Sequence, residues 1–159
     1  MVTLETVLDV IPAVSLSIAL IYYAMNLRNQ NKTRQAQLYM QVWNRFASEE
    51  GTRRAAEIRG YEWDDFEDFE RKYGRENNID AHAKRVHVWN EHNGIGLLLR
   101  KGLIDFDMVN KVAGGAIMVH WEKWEPIIRE YRKLFDNPEF QSDWEYFYKR
   151  VKKYREENF

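Results

Sequence analysis

His87 and Glu91 lie four residues apart, the spacing that stacks two side chains on one helix face, and His120, Glu122 and Arg129 come from a later segment that can approach them. An imidazole, a carboxylate and a guanidinium are groups that move protons and hold anions. An enzymatic or small-ligand reading therefore rests on Glu91, His120 and Arg129. A metal is not expected. His82, His87 and His92 advance by five residues, about 140° per step around a helix axis, so they build no ridge of ligands. Neither the Glu-x-x-His pairs of helical-bundle metal sites nor close zinc spacings occur, and the chain has no cysteine. Nucleophile motifs and phosphate loops are missing too. Gly94 and Gly96 alone make no dinucleotide fingerprint, and no cofactor is implied.

Asn93 poses a different question, because it shares a predicted apolar face with Ala83, Val86, Trp89 and Leu97. A buried amide must find hydrogen-bond partners, and Arg100, Arg129 or Arg132 can supply them from within a polar network that also holds Glu91. Such a network reads first as packing and specificity, with a ligand pocket as the alternative.

These residues need helices to position them, and the chain is helical in pattern, with no alternating run long enough for a sheet. Residues 13–50 contain neither Gly nor Pro, so one helix is expected to run through them to Gly51. Shorter helices follow over 52–60 and 63–73, the second with Phe66, Phe69 and Tyr73 on one side. Asp80 is a plausible N-cap for the helix carrying His87 and Asn93, which should stop near Gly102. Asp105 caps its successor, whose core positions read as Val109, Val112, Ala116, Trp121, Trp124, Ile128, Tyr131 and Phe135. Pro126 should bend that element, and Gly114 and Gly115 suggest a neighbouring backbone passing close by. After Pro138 a last helix offers Trp144, Phe147, Tyr148 and Val151 to the core.

Composition favours a packed bundle. Aromatics make up 14% of the 159 residues, six of them Trp, so a small domain has ample apolar surface to bury. Net charge is -1, which argues against nucleic acid as a partner, since phosphate contacts need a local cationic excess. The basic run from Lys149 to Arg155, interleaved with Tyr148 and Tyr154, is followed at once by Glu156 and Glu157 and reads as an exposed helix face.

The N-terminal region is of another kind. Residues 10–27 carry no charge and would span about 27 Å as a helix, close to the roughly 30 Å of a bilayer's hydrocarbon. Glu5 and Asp9 precede this run; Arg28, Lys32 and Arg34 follow it, and Tyr22 and Tyr23 sit where an interfacial aromatic belt would fall. Basic residues mark the cytoplasmic side, so the N-terminus is expected outside and the rest of the chain inside, with the three cations also drawn to anionic headgroups. A cleaved signal peptide would want a basic start, and this one is acidic.

Together these features predict an all-α protein of two parts. Residues 1–34 form a transmembrane helix with a polar collar, and residues 35–159 a small cytoplasmic helical bundle. The stretch from "VWNEHNGIG" to "NPEF" also resembles a known family. Its matching features are Glu91 and Asn93, "LLLRKGLID" with Arg100 and Gly102, Gly114 and Gly115, "HWEKWEPII" with Trp121 and Pro126, then Arg132, Asn137 and Phe140. The likeness covers about residues 10–148 and is to a bacterial and archaeal domain of unknown function that pairs an N-terminal membrane helix with a small helical domain. It implies that architecture and no activity. The function expected is binding at the membrane surface, of a protein partner or of a second copy of the chain, in preference to catalysis.

Overall fold

The computed structural model describes residues 4–159, and the side chains of all of these but 4–10, 42, 45 and 46. The chain is all-α: six helices and no strand among the described residues. They are α1 (Leu4–Phe46), α2 (Glu49–Arg59), α3 (Phe66–Tyr73), α4 (Ile79–Arg100), α5 (Phe106–Leu134) and α6 (Ser142–Asn158). Two compact units result, Met1–Gln37 and Leu38–Phe159.

In the first unit α1 runs through Pro12 without interruption. Its described apolar residues within this unit are exposed, Leu16, Ile18 and Leu20 all by about 60%. The stretch Ile11–Gln41 is long and apolar enough to cross a membrane, the only such helix among the described residues. Polar side chains within it are met locally. Ser17 Oγ donates to the Ala13 carbonyl (2.9 Å) and Thr33 Oγ1 to that of Asn29 (3.1 Å). The expected acidic flank, Glu5 and Asp9, lies outside the described side chains.

The second unit begins its helices with side-chain caps. Ser48, Asp65, Asn78 and Asp105 each accept the amide N–H three residues on, at Gly51, Asp68, Ala81 and Met108. Two expectations are corrected by these caps. The break after α1 falls at Ala47 and Ser48, because Ser48 captures an orphan amide there; Gly51 lies inside α2, buried. Likewise Asn78, not Asp80, starts α4. The ends are equally specific. Gly102 (φ +66°) closes α4 as its amide reaches Leu99 O and that of Leu103 reaches Leu98 O, the paired bonds of a Schellman motif. Asp136 (φ +47°) makes the same closure after α5, with Asn137 N bonded to Arg132 O.

Four tryptophans, Trp89, Trp121, Trp124 and Trp144, fill the centre of this unit with Ile58, Phe69 and Phe147. Their rings meet mostly edge to face: Trp89 on Trp124 at 5.4 Å, Trp121 on Trp144 at 5.3 Å, an arrangement ring quadrupoles favour. Where these rings lie, the backbones of α4 and α5 stay apart. Where Gly96 lies, α4 and α6 touch: a Cβ at Gly96 would collide with the Asp143 carbonyl. At Gly114, expected with Gly115 to admit a neighbour closely, a Cβ would press on the Asn110 side chain and lie 3.4 Å from Val151 Cγ1 of α6. The packing is tight there through side chains, whereas the close passage of a backbone is at Gly96. Gly115 meets only the Arg155 side chain, at 3.8 Å.

The buried face of α4 also differs from expectation. Ala83 and Leu97 are exposed, while Ala81, Arg85, Val88, Trp89, His92, Ile95, Gly96 and Leu99 face inward. A hydrophobicity pattern turns Arg85 and His92 outward, but each finds polar partners inside. On α5 the core line runs through Val109, Ala113, Ile117, His120, Trp121, Trp124, Ile128 and Tyr131; Val112 and Phe135 are half exposed.

Candidate functional site

Of the residues singled out in the sequence, Asn93 and Arg100 meet at one place, the start of α6. Gln141, the residue preceding that helix, supplies no cap of its own. Asn93 Oδ1 does so from α4, accepting the amides of Asp143 and Trp144 at 3.1 Å each. Arg100 adds Nη2 to Ser142 O (2.7 Å) and Nε to the Asp143 carboxylate (3.0 Å). Asn93, Gly96 and Arg100 therefore form one docking stripe for α6. The other three do not join it or each other. Glu91 pairs with His87 (2.9 Å), Arg129 with Glu125 on the surface (2.8 Å), and His120 lies fully buried elsewhere. Tyr22, Tyr23, Arg28, Lys32 and Arg34 are exposed along α1.

His120 stacks against His92, with His92 Nε2 and His120 Nδ1 2.7 Å apart and Arg59 Nη2 3.2 Å from His120 Nε2. A guanidinium only donates, so His120 Nε2 accepts and its proton sits on Nδ1. That proton is given to His92 Nε2, which places the His92 proton on Nδ1. Both rings are neutral in this chain of bonds. Burial, then the cations Arg59 and Lys123, hold His120 down at about 4; burial, then His120, hold His92 well below the ordinary value. A base that weak takes no proton at neutral pH. Chemically the pair is a fixed hydrogen-bond relay. It abuts a cavity of about 330 Å³ walled by Trp43, Ala55, Ala56 and Ala116.

A second buried polar group went unnoticed in the sequence. Arg85 is 2% exposed, its guanidinium lying 4.6 Å from the Trp89 ring and 5.1 Å from those of Phe69 and Tyr131. Its Nη2 donates to Tyr131 Oη (3.0 Å) and to His82 Nδ1 (2.9 Å). Tyr131 Oη in turn donates to Glu70. Burial and the bond to Glu70 push the Tyr131 hydroxyl up, beyond the ordinary range, against the pull of Arg85. Beside the guanidinium is a cavity of about 140 Å³, lined by Trp89, Asn90, Tyr131, Phe135, Phe140 and Gln141 among others. Wider clefts exist on the surface, such as one of about 470 Å³ over Tyr61 and Trp63. Its cations are already engaged, Lys72 with Asp68 (2.6 Å) and Lys123 with the Tyr61 carbonyl (2.6 Å).

A family model described as "Domain of unknown function (DUF4760)" matches residues 12–151. The chain belongs to this family. No curated protein and no solved structure matches it significantly. The DUF4760 match takes in the apolar part of α1 from Pro12 onward, the histidine pair, the Arg85 cavity and the docking stripe alike. It brings no chemistry with it, so the function of this DUF4760 chain has to be argued from its own residues. The signal that would have found Arg85 and His92 was present: each is one helical turn from Trp89, at i−4 and i+3, and so shares the face of the most buried residue type in the segment.

Proposed function

We propose that this DUF4760 protein is a single-pass membrane protein whose helical domain faces the cytoplasm and works by binding. The observation carrying the reading is the first unit itself. Its apolar residues from Ile11 to Leu27 are exposed along the whole run, a surface that costs free energy in water and gains it among acyl chains. The flanks give the orientation: Arg28, Lys32 and Arg34 follow the apolar run, on the side that basic residues favour. Binding in preference to catalysis is supported by the scattering of Glu91, His120 and Arg129 among separate partners. A surface for a protein partner or a second copy is offered by Val112 and Val119, 46% and 50% exposed on one face of α5.

The test is fractionation of cells making the full chain and a chain lacking residues 1–34. Retention of the full chain in membranes through alkaline carbonate washing, and release of the shortened one, is the expected result. Recovery of the full chain in the soluble fraction without detergent contradicts the reading.

A further inference from the structure

The cavity beside Arg85 is, we propose, a binding site for a small carboxylate that carries a hydroxyl and a compact apolar body. Arg85 is a buried cation with no carboxylate within ion-pair distance among the described residues; Glu70 reaches it only through the Tyr131 hydroxyl. Ring faces offset part of the cost of burying that charge, and an anion in the adjoining space offsets more. A carboxylate matches the planar donor fork of a guanidinium.

The opposite wall supplies the second feature. Gln141 is 7% exposed, lines the cavity, and its Oε1 accepts nothing among the described residues. Its backbone is left-handed, φ +59°, an unusual conformation for a glutamine. The residue at this helix start would ordinarily cap the helix, yet Asn93 performs that task from α4. The Gln141 amide lines the cavity instead, its Nε2 donating to Asn90 Oδ1 at 3.5 Å and its Oε1 left without a donor, and local strain of this kind gathers at ligand sites. An orphan acceptor calls for a ligand donor. A hydroxyl meets that need, whereas an ammonium would add a second cation beside Arg85.

Trp89, Val86, Phe135 and Phe140 complete an apolar wall. At about 140 Å³ the space is below the roughly 300–1,000 Å³ of drug-sized pockets, which sets the ligand at a small metabolite's size. Carboxylate, hydroxyl and apolar body then fall to Arg85, Gln141 and this wall, and 2-hydroxy-4-methylpentanoate is a probe that carries all three. The site stands on residues of the second unit alone and does not depend on the membrane reading.

The experiment is titration calorimetry of the full chain, held in detergent micelles or nanodiscs, with 2-hydroxy-4-methylpentanoate. Saturable one-site binding is expected. The neutral 2-hydroxy-4-methylpentanamide should bind at least about tenfold more weakly, the effect of losing a charge-assisted bond, and 4-methylpentanoate about fivefold more weakly for want of the hydroxyl. Val86→Phe fills the cavity without removing Arg85 and should abolish the heat while leaving thermal unfolding cooperative; Asn90→Trp, at the exposed rim, takes its place if the first variant does not fold. No saturable binding at millimolar acid, equal binding of acid and amide, or undiminished binding in the folded cavity-filled variant overturns the proposal.

Discussion

His120 and His92 are neutral in the folded domain because burial, and for His120 the neighbouring cations, disfavour their charged forms. The unfolded chain has no such restraint, so below about pH 6.5 it binds protons that the folded chain refuses. Stability is therefore full above about pH 6.5 and falls as the pH drops toward about 4, where His120 itself titrates, His92 continuing the loss below. Asp68 acts in a lower window. Hydrogen bonds from Lys72, the Asp64 amide and Arg71 hold it at about 2, so its contribution is present above about 3.8 and lost as the pH falls toward 2. Chemical denaturation from pH 7 to 4 should show a loss led by the two buried histidines, on the order of 3 kcal/mol for His120, to which His82, also held down by burial and Arg85, adds. His120→Gln, which can accept from Arg59 and donate to His92, should reduce the slope by roughly half. Asn93 is the other residue whose worth can be read directly. Asn93→Ala should cost about 1–2 kcal/mol by uncapping α6, and Asn93→Asp, which keeps the acceptor, should recover most of it in the same denaturation assay.

At the scale of elements, helix existence was legible and helix faces were less so. Asp105 and Gly102 announce their roles in the sequence, and the structure uses both as read. Face assignment on α4 went astray because hydrophobic periodicity gives buried charge no place. Arg85 shares the Trp89 face of α4, but what holds its charge inside, the Phe69 and Tyr131 rings and the Tyr131 hydroxyl, comes from other helices and shows in no local pattern. Gly96 was likewise opaque, since a glycine inside a helix shows its purpose only when the passing backbone is known. Gly96→Ala should force α4 and α6 apart and cost about 2–4 kcal/mol in thermal or chemical unfolding. In the opposite direction, Asp136→Gly relieves a left-handed residue at the end of α5 and should raise stability by up to about 1 kcal/mol. The candidate cavity was illegible for the same reason as the α4 face: Arg85 and Gln141 are distant in sequence and neither belongs to a motif.

For the whole molecule, the two units ask for different solvents. The second closes its own core around four tryptophans, with charged side chains such as Arg53, Arg71 and Lys149 on its surface. The first leaves every described apolar side chain of its uncharged run exposed, and its polar hydroxyl Ser17 bonded to its own backbone, the state a hydrocarbon environment demands of a helix. Since the chain has no cysteine of its own, single cysteines report directly on where each side of that run lies. Thr3→Cys and Glu50→Cys, labelled separately with a membrane-impermeant maleimide, are the decisive pair. On intact cells, or spheroplasts where an outer envelope blocks the reagent, Thr3→Cys should react at once and Glu50→Cys only after lysis. Reaction of Glu50→Cys before lysis, or protection of both until lysis, contradicts the account.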